Sequence, residues 1–276
     1  MKDYAGRRLP LISVGPLLWL AACSGGSDTA VENKAEPAPT PVIKPVDAPA
    51  PAAKPFSLEE DGKALQFGYS YPAEAAAVPE IAARLDGEMR KTRADALNDA
   101  EADRKEREKG DLPFMPHALE THWTVQGNTP RFLSLLSETY VFTGGAHGMT
   151  GYGGLLWDRE TQHAVALSDV ATSTAAFGKA ITGRFCAALD KEREKKRGEP
   201  VVRTGEDDFT ACINPLEQTL VPVSKDGKAL DSLLVVVGPY AAGPYAEGSY
   251  EISLPVDAAM LDAIKPAYRP AFSAGR

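Results

Sequence analysis

Arg131-Phe-Leu-Ser-Leu-Leu-Ser-Glu-Thr-Tyr-Val-Phe142, followed at once by Thr143-Gly-Gly-Ala-His-Gly148, is a strand that runs into a glycine turn. Leucines and aromatics fill it without a Pro or Gly, and the paired glycines after Phe142 admit positive φ and leave His147 projecting from a tight turn. Three more apparent strands flank it, at 118–126, 154–157 and 164–167. Their connections are turn-rich, with Gly127-Asn128 in one and Asp158-Arg159-Glu160-Thr161 in another. The expectation is a meander-like antiparallel set.

Upstream, Leu65, Phe67, Tyr69 and Tyr71 alternate onto one face of a strand that Pro72 ends. Residues 79–109 then carry Ile81, Leu85, Met89 and Leu97 at helical spacing, with Pro79 suited to a first turn and a highly charged tail over 101–109 that reads as a solvated helix end. Downstream, Thr172 or Ser173 can cap a second helix to about Lys196, with Phe177, Ile181, Phe185 and Leu189 every four residues. The run Glu192-Arg-Glu-Lys-Lys-Arg197 at its end reads as a solvated terminus whose cations suit the helix dipole. Strands at 216–222, 230–237 and 249–254 and a short helix at 257–264 close the chain. The order, without repeated strand–helix–strand alternation, predicts an α+β fold of antiparallel sheets packed with two long helices, in two associated modules at 56–170 and 171–273.

Near the N-terminus, Leu20-Ala21-Ala22-Cys23 ends a short apolar run that Pro10 and Pro16 interrupt, behind Arg7 and Arg8. The run is shorter than the roughly 20 apolar residues a membrane span needs. It resembles a bacterial lipoprotein signal, which implies cleavage of 1–22, acylation of Cys23 and a membrane anchor. A simple secretory signal cut after Ala22 is the alternative. Ser24 after the cysteine resembles the outer-membrane sorting pattern of Gram-negative lipoproteins, which places the protein at the periplasmic face of that membrane. From 23 to 55 the chain is Pro/Ala-rich, a disordered tether able to reach on the order of 100 Å if polyproline-like.

Loss of residues 1–22 removes Lys2, Arg7 and Arg8 against one acid, Asp3, so the formal charge moves from −8 to −10. No aromatic-basic stripe accompanies this acidic balance, which argues against nucleic acid and for attraction to basic proteins. With Cys23 lipidated, Cys186 and Cys212 remain as a pair, and an oxidising compartment favours a disulfide over two free thiols.

Chemistry-bearing motifs are few. His147 could be a general base, but the chain has no Gly-x-Ser-x-Gly elbow, no His-Glu-x-x-His and no phosphate loop to accompany it, so a turn histidine bonded to nearby backbone is the preferred reading. His117, Glu120 and His122 cluster in sequence, with His147 or His163 available to complete a metal site. That spacing matches no common zinc pattern, and neither metal nor cofactor is expected.

Tyr140-Val-Phe-Thr-Gly-Gly-Ala-His-Gly148, with Leu155-Leu-Trp-Asp158 and Ala164-Val-Ala-Leu-Ser-Asp169 after it, resembles the extracytoplasmic domain shared by PdaC peptidoglycan deacetylases and RsiV anti-sigma factors. Val237-Gly-Pro-Tyr-Ala-Ala-Gly-Pro-Tyr245 and Tyr250-Glu-Ile-Ser-Leu-Pro255 resemble the C-terminal module that accompanies it in RsiV. The resemblance implies a binding or turn motif at Thr143, Gly144, Gly145, Ala146, His147, Gly148, Tyr240, Gly243 and Pro244. It also implies a ligand that is either a protein, such as a basic lysozyme-like muramidase, or peptidoglycan. The polysaccharide-deacetylase segment of the first family is absent, as are the transmembrane helix and sigma-binding segment of the second. A noncatalytic envelope lipoprotein that binds such a ligand is therefore expected, with a wall hydrolase using His147 or a structural assembly lipoprotein as alternatives.

Overall fold

The computed structural model describes residues 52–203 and 209–275. The signal at 1–22, Cys23 and nearly all of the 23–55 tether lie outside the described residues. The sheet starts with β1 (Phe56–Asp61) and β2 (Leu65–Tyr71), an antiparallel pair. After a one-turn helix α1 (Ala73–Ala76), the long helix α2 (Pro79–Lys109) carries the chain back across the sheet to β3 (His117–Asn128). β4 (Phe132–Phe142), β5 (Met149–Asp158) and the short β6 (His163–Val165) complete a six-stranded sheet in sequential order.

The α+β class and both long helices match the sequence reading, and one pairing departs from it. β2 and β3 are parallel, Leu65 opposite His117 and Ser70 opposite His122. A helix between two strands returns the chain to the end where the first strand began, so neighbours joined that way run in the same direction. β1 was not among the expected strands: it is an acidic, half-exposed edge whose apolar positions are only Phe56 and Leu58. β5 starts five residues earlier than expected because its first half, Met149-Thr-Gly-Tyr-Gly-Gly154, is too glycine-rich to read as a strand. The expected strand at 164–167 ends sooner, since Leu167 opens the single-turn helix α3 (Leu167–Val170).

The second long helix, α4 (Thr174–Arg197), is capped by Ser173, whose hydroxyl accepts from the Ala176 N–H at 3.0 Å, and ends at Gly198 with φ 74°. β7 (Thr219–Val223), β8 (Ser232–Val237) and β9 (Tyr250–Pro255) form an antiparallel three-stranded sheet, followed by α5 (Ala258–Asp262). Cys186 of α4 is joined to Cys212, with 5.3 Å between their Cα atoms.

β4 is buried on both faces over Phe132–Ser137, which is why it reads as a nearly unbroken apolar run. Leu133 and Leu135 turn toward Ile81, Leu85 and Met89 of α2. Phe132 turns the other way, into a core it shares with Phe177, Ile181 and Phe185 of α4 and Val235 of β8, while Leu136 meets Val221 and Val236. Residues on either side of position 170 therefore share one core. At its rim, Arg131 reaches the fully buried Asp158 at 3.2 Å, donates to the Ala267 carbonyl at 2.5 Å and stacks 4.4 Å from the Tyr268 ring.

Leu135→Ala is expected to lower unfolding stability by about 3 kcal/mol, because the sheet and α2 cannot both close the cavity left behind. A urea titration followed by far-UV circular dichroism reads the change as a lower midpoint at unchanged slope.

Candidate binding site

The two motifs that sequence places about a hundred residues apart meet at one end of the larger sheet. The β4–β5 connection carries Gly144 and Gly145 at φ 94° and 95°, conformations that side chains disfavour, and this swings His147 out of the hairpin. His147 stacks on Tyr245, ring centroids 3.7 Å apart and 18° from parallel, and Tyr240 lies tilted over both at 6.4 Å and 5.6 Å. His147 Nδ1 donates to the Gly148 carbonyl at 2.9 Å, which leaves Nε2 of the neutral ring to accept from the Tyr240 hydroxyl at 3.4 Å. Tyr245 donates to the same Gly148 carbonyl at 3.0 Å. Gly148 lets the Tyr140 ring lie close to the backbone: a Cβ there would stand 2.4 Å from the ring, which would have to shift.

Tyr240 is 48% exposed and holds φ 67°, uncommon for a residue with a Cβ. Its loop is kept in place from beneath by the end of α4. Arg193 is fully buried; its Nε donates to the Ala242 carbonyl at 3.0 Å and its Nη1 to the Ala211 carbonyl at 2.9 Å. Burial pushes this guanidinium below the ordinary arginine value, with Arg197 adding like charge and Asp190 opposing the shift. Arg197 grips Glu247 with two hydrogen bonds, 2.8 and 3.1 Å, and Lys196 donates to the Glu247 and Ser249 carbonyls at 2.6 Å while lying 4.0 Å over the Tyr250 ring. The Tyr250 hydroxyl closes the network on Glu247, and burial followed by that carboxylate pushes it up to about 12. Gly243 is buried against Glu247 and Tyr250, and Pro244 leads into a short 3-10 turn, Tyr245–Glu247.

The expectation of a solvated helix end at 192–197 is thus corrected. Arg193, Lys196 and Arg197 stand at i, i+3 and i+4, one face of the helix, and the 238–249 loop packs on it: Arg193 is buried and Arg197 half-buried, while Lys196 stays exposed as it donates to loop carbonyls. The spacing was visible in the sequence; the cover was not. The tail of α2 is likewise engaged in part. Asp103 bonds His117 Nε2 at 3.2 Å and Arg107 Nε at 2.9 Å, and Arg107 lines a cavity of about 170 Å³ with Asp103, Pro113, Met115, Gly144 and Gly145. Thr143 lines a neighbouring hollow with Phe142 and Val141, and Ala146 is exposed at the turn.

The histidine–glutamate cluster does not assemble. Strand alternation puts His117 on the α2 side of β3, buried and paired with Asp103, whereas Glu120 and His122 face the opposite way and His122 bonds the Ser70 hydroxyl at 2.9 Å. His163 lies on β6, at the far end of the sheet from His147. The hydrogen bonds of His147 run to a carbonyl and a phenol, so no carboxylate orients it as a general base among the described residues.

Residues 58–150 match the family described as "Deacetylase PdaC". Among solved structures, a DUF3298 family protein from Pseudomonas aeruginosa PAO1 is similar at 19% identity, with 81% of this chain and 98% of that chain covered and a TM-score of 0.48. A DUF3298 family member from Bacteroides fragilis NCTC 9343 is similar at 17% identity, with coverages of 77% and 93% and a TM-score of 0.46. No curated protein matches the chain.

Glu247 sits below the ordinary carboxylate value: burial raises it, and the hydrogen bonds from Arg197 and Tyr250 with the charges of Arg197 and Lys196 outweigh that. A depressed folded value means that its contribution is complete above the unfolded value of about 4.3 and is lost as pH falls through the lower folded value. The protection factors of amides over 240–249, that is, exchange relative to the intrinsic rate at each pH, are therefore expected to be high at neutral pH and to fall on acidification below about pH 4, and in Glu247→Gln that fall is expected to be absent.

Proposed function

We propose, starting from a PdaC-type domain at residues 58–150, that this chain is a noncatalytic cell-envelope lipoprotein, anchored through Cys23, whose folded part binds a ligand on the His147–Tyr240–Tyr245 platform. One observation carries the reading: two remote motifs converge on a stacked, partly exposed aromatic surface that a buried cation network holds rigid. Preorganised aromatics exposed at a rigid loop are what a binding surface requires, since little side-chain entropy remains to be lost on association. Catalysis has less support, because His147 is committed to Gly148 and Tyr240.

The resemblance to PdaC and RsiV leaves two ligand classes, a protein of lysozyme-like kind or peptidoglycan. The lipid signal and the Pro/Ala-rich tether support display at the periplasmic face of the outer membrane, at a distance from the bilayer that the tether sets.

Two measurements test this. Cys23→Ala should abolish acyl labelling and release the protein from the membrane fraction. The detergent-solubilised full chain should bind lysozyme or peptidoglycan sacculi, and Tyr240→Ala should weaken that binding about tenfold or more, at least about 1.4 kcal/mol. Retention of neither ligand at low ionic strength sinks the reading. His147→Ala should leave the release of wall fragments unchanged.

A further inference from the structure

Within its buried stretch, β4 turns one polar side chain toward the second sheet. Phe132 and Leu136 bracket Ser134 on that face, and all three are buried, Ser134 to 1% exposure. The Ser134 Oγ has no hydrogen-bond partner among the described residues. A hydroxyl taken out of water without a partner is destabilising, so buried hydroxyls are ordinarily met by protein or by a bound molecule. Ser134 lines a hollow of about 90 Å³ where β4 and β5 meet β7, with Gly154 and Val221 in its wall. Gly154 lets β7 come this near: a Cβ there would stand 3.3 Å from both the Leu220 carbonyl oxygen and a Val221 methyl.

A second, larger hollow of about 220 Å³ adjoins the first. Leu167 and Leu220 line both, so the two meet between those side chains. The walls of the larger one are apolar, with Ala171 and Phe177 on the α4 side and Leu216 ahead of β7. Ser168 and Thr174, both exposed, mark its mouth, and Gln218 is half-buried in its wall. No charged side chain lines either hollow, in contrast to the cavity at Asp103 and Arg107. An apolar cavity of about 150 Å³ is enough to bind benzene, so the larger hollow has room for one six-membered ring or a short branched chain. The smaller one has room for a single polar group or a water.

We infer that this paired hollow is a binding site for a small uncharged molecule: its apolar ring or branched chain fills the space between Phe177 and Leu216, and its hydroxyl, carbonyl or amide passes between Leu167 and Leu220 to meet Ser134 Oγ. A hydroxyl both donates and accepts, so Ser134 suits any of these three heads. The apolar walls supply the affinity and the single polar group fixes the orientation. A carboxylate or an ammonium is selected against, because neither hollow offers a countercharge and desolvating an unpaired ion is far more costly than desolvating a neutral group. The site is separate from the aromatic platform, since Ser134 lies roughly 26 Å along β4 from Phe142 at the usual strand rise. The inference therefore goes beyond the proposed binding role and does not rest on it.

The test is an NMR titration of the full chain, carrying Cys23→Ala so that no lipid or micelle competes for apolar probes. Benzyl alcohol is the neutral polar probe, toluene its apolar counterpart and benzoate the charged one. Benzyl alcohol should bind saturably, with NOEs from its ring protons to the methyls of Leu167 and Leu220. Toluene should bind about tenfold more weakly, because it leaves the Ser134 hydroxyl without a partner, and benzoate should not bind. Ser134→Ala should lower the affinity for benzyl alcohol to that for toluene and leave toluene unaffected, a split that a merely structural serine would not produce. Leu167→Trp, which fills the larger hollow, should abolish binding of both. The NOEs, read on the unaltered site, decide the case even where Leu167→Trp fails to fold. Saturation without those NOEs, or benzyl alcohol binding that Ser134→Ala leaves unchanged, overturns the site, and equal binding of benzoate overturns its preference for an uncharged ligand. Absence of saturable binding by benzyl alcohol and toluene alike means that the hollows hold water only, and it overturns the inference while leaving the proposed role at the aromatic platform standing.

Discussion

Burial of β4 on both faces is the constraint from which the architecture follows. A strand with Leu133 and Leu135 on one side and Phe132 and Leu136 on the other cannot be satisfied by a single covering layer. α2 supplies one cover and the α4–β7–β8–β9 assembly the other, so the two halves of the chain cannot be separated without exposing apolar side chains of the same strand. Farther along β4, from Glu138 to Phe142, the cover ends, and the strand and its turn emerge into solvent. The protein is thus rigid at the root of the hairpin and exposed at its tip.

That arrangement makes the end of α4 consequential. Its cations do not merely complement a helix dipole; they hydrogen-bond backbone carbonyls of the 238–249 loop and hold Glu247 in a bidentate pair. Burying an arginine is costly, and Arg193 offsets part of that cost through Nε and Nη1, which donate to carbonyls of two separate segments, Ala242 and Ala211, while its Nη2 has no partner among the described residues. The disulfide between Cys186 and Cys212 fixes the first segment to the helix one residue from Ala211. The loop that carries Tyr240 and Tyr245 is consequently referenced to the same helix that packs against β4. Aromatic rings at the hairpin tip and on the loop meet because both are fixed to one core.

Much of this was legible beforehand. Pro79 and the spacing of Ile81, Leu85 and Met89 marked α2, Ser173 and the four-residue recurrence of Phe177, Ile181, Phe185 and Leu189 marked α4, and the cysteine pair marked its own bond. β1 is hard to read because an edge strand needs little apolar surface, and the first half of β5 because three of its six residues are glycine, of which only Gly154 is approached closely by β7, where a Cβ would stand 3.3 Å from the Leu220 carbonyl oxygen. The parallel pairing of β2 and β3 depends on where α2 returns the chain, which no local pattern encodes.

By itself the sequence determined the two long helices, most of the strands, the α+β class and the two motifs, because each is written in local spacing, caps and periodicity that act within a few residues. Only the tertiary structure decided what those motifs become. It parted His117 from Glu120 and His122, since alternate residues of a strand face opposite sides, and it brought His147 to Tyr240 and Tyr245, since a shared core holds the hairpin and the loop at one distance. Which side chains meet across a hundred residues is set by packing, and packing is settled only when the whole chain has closed on β4.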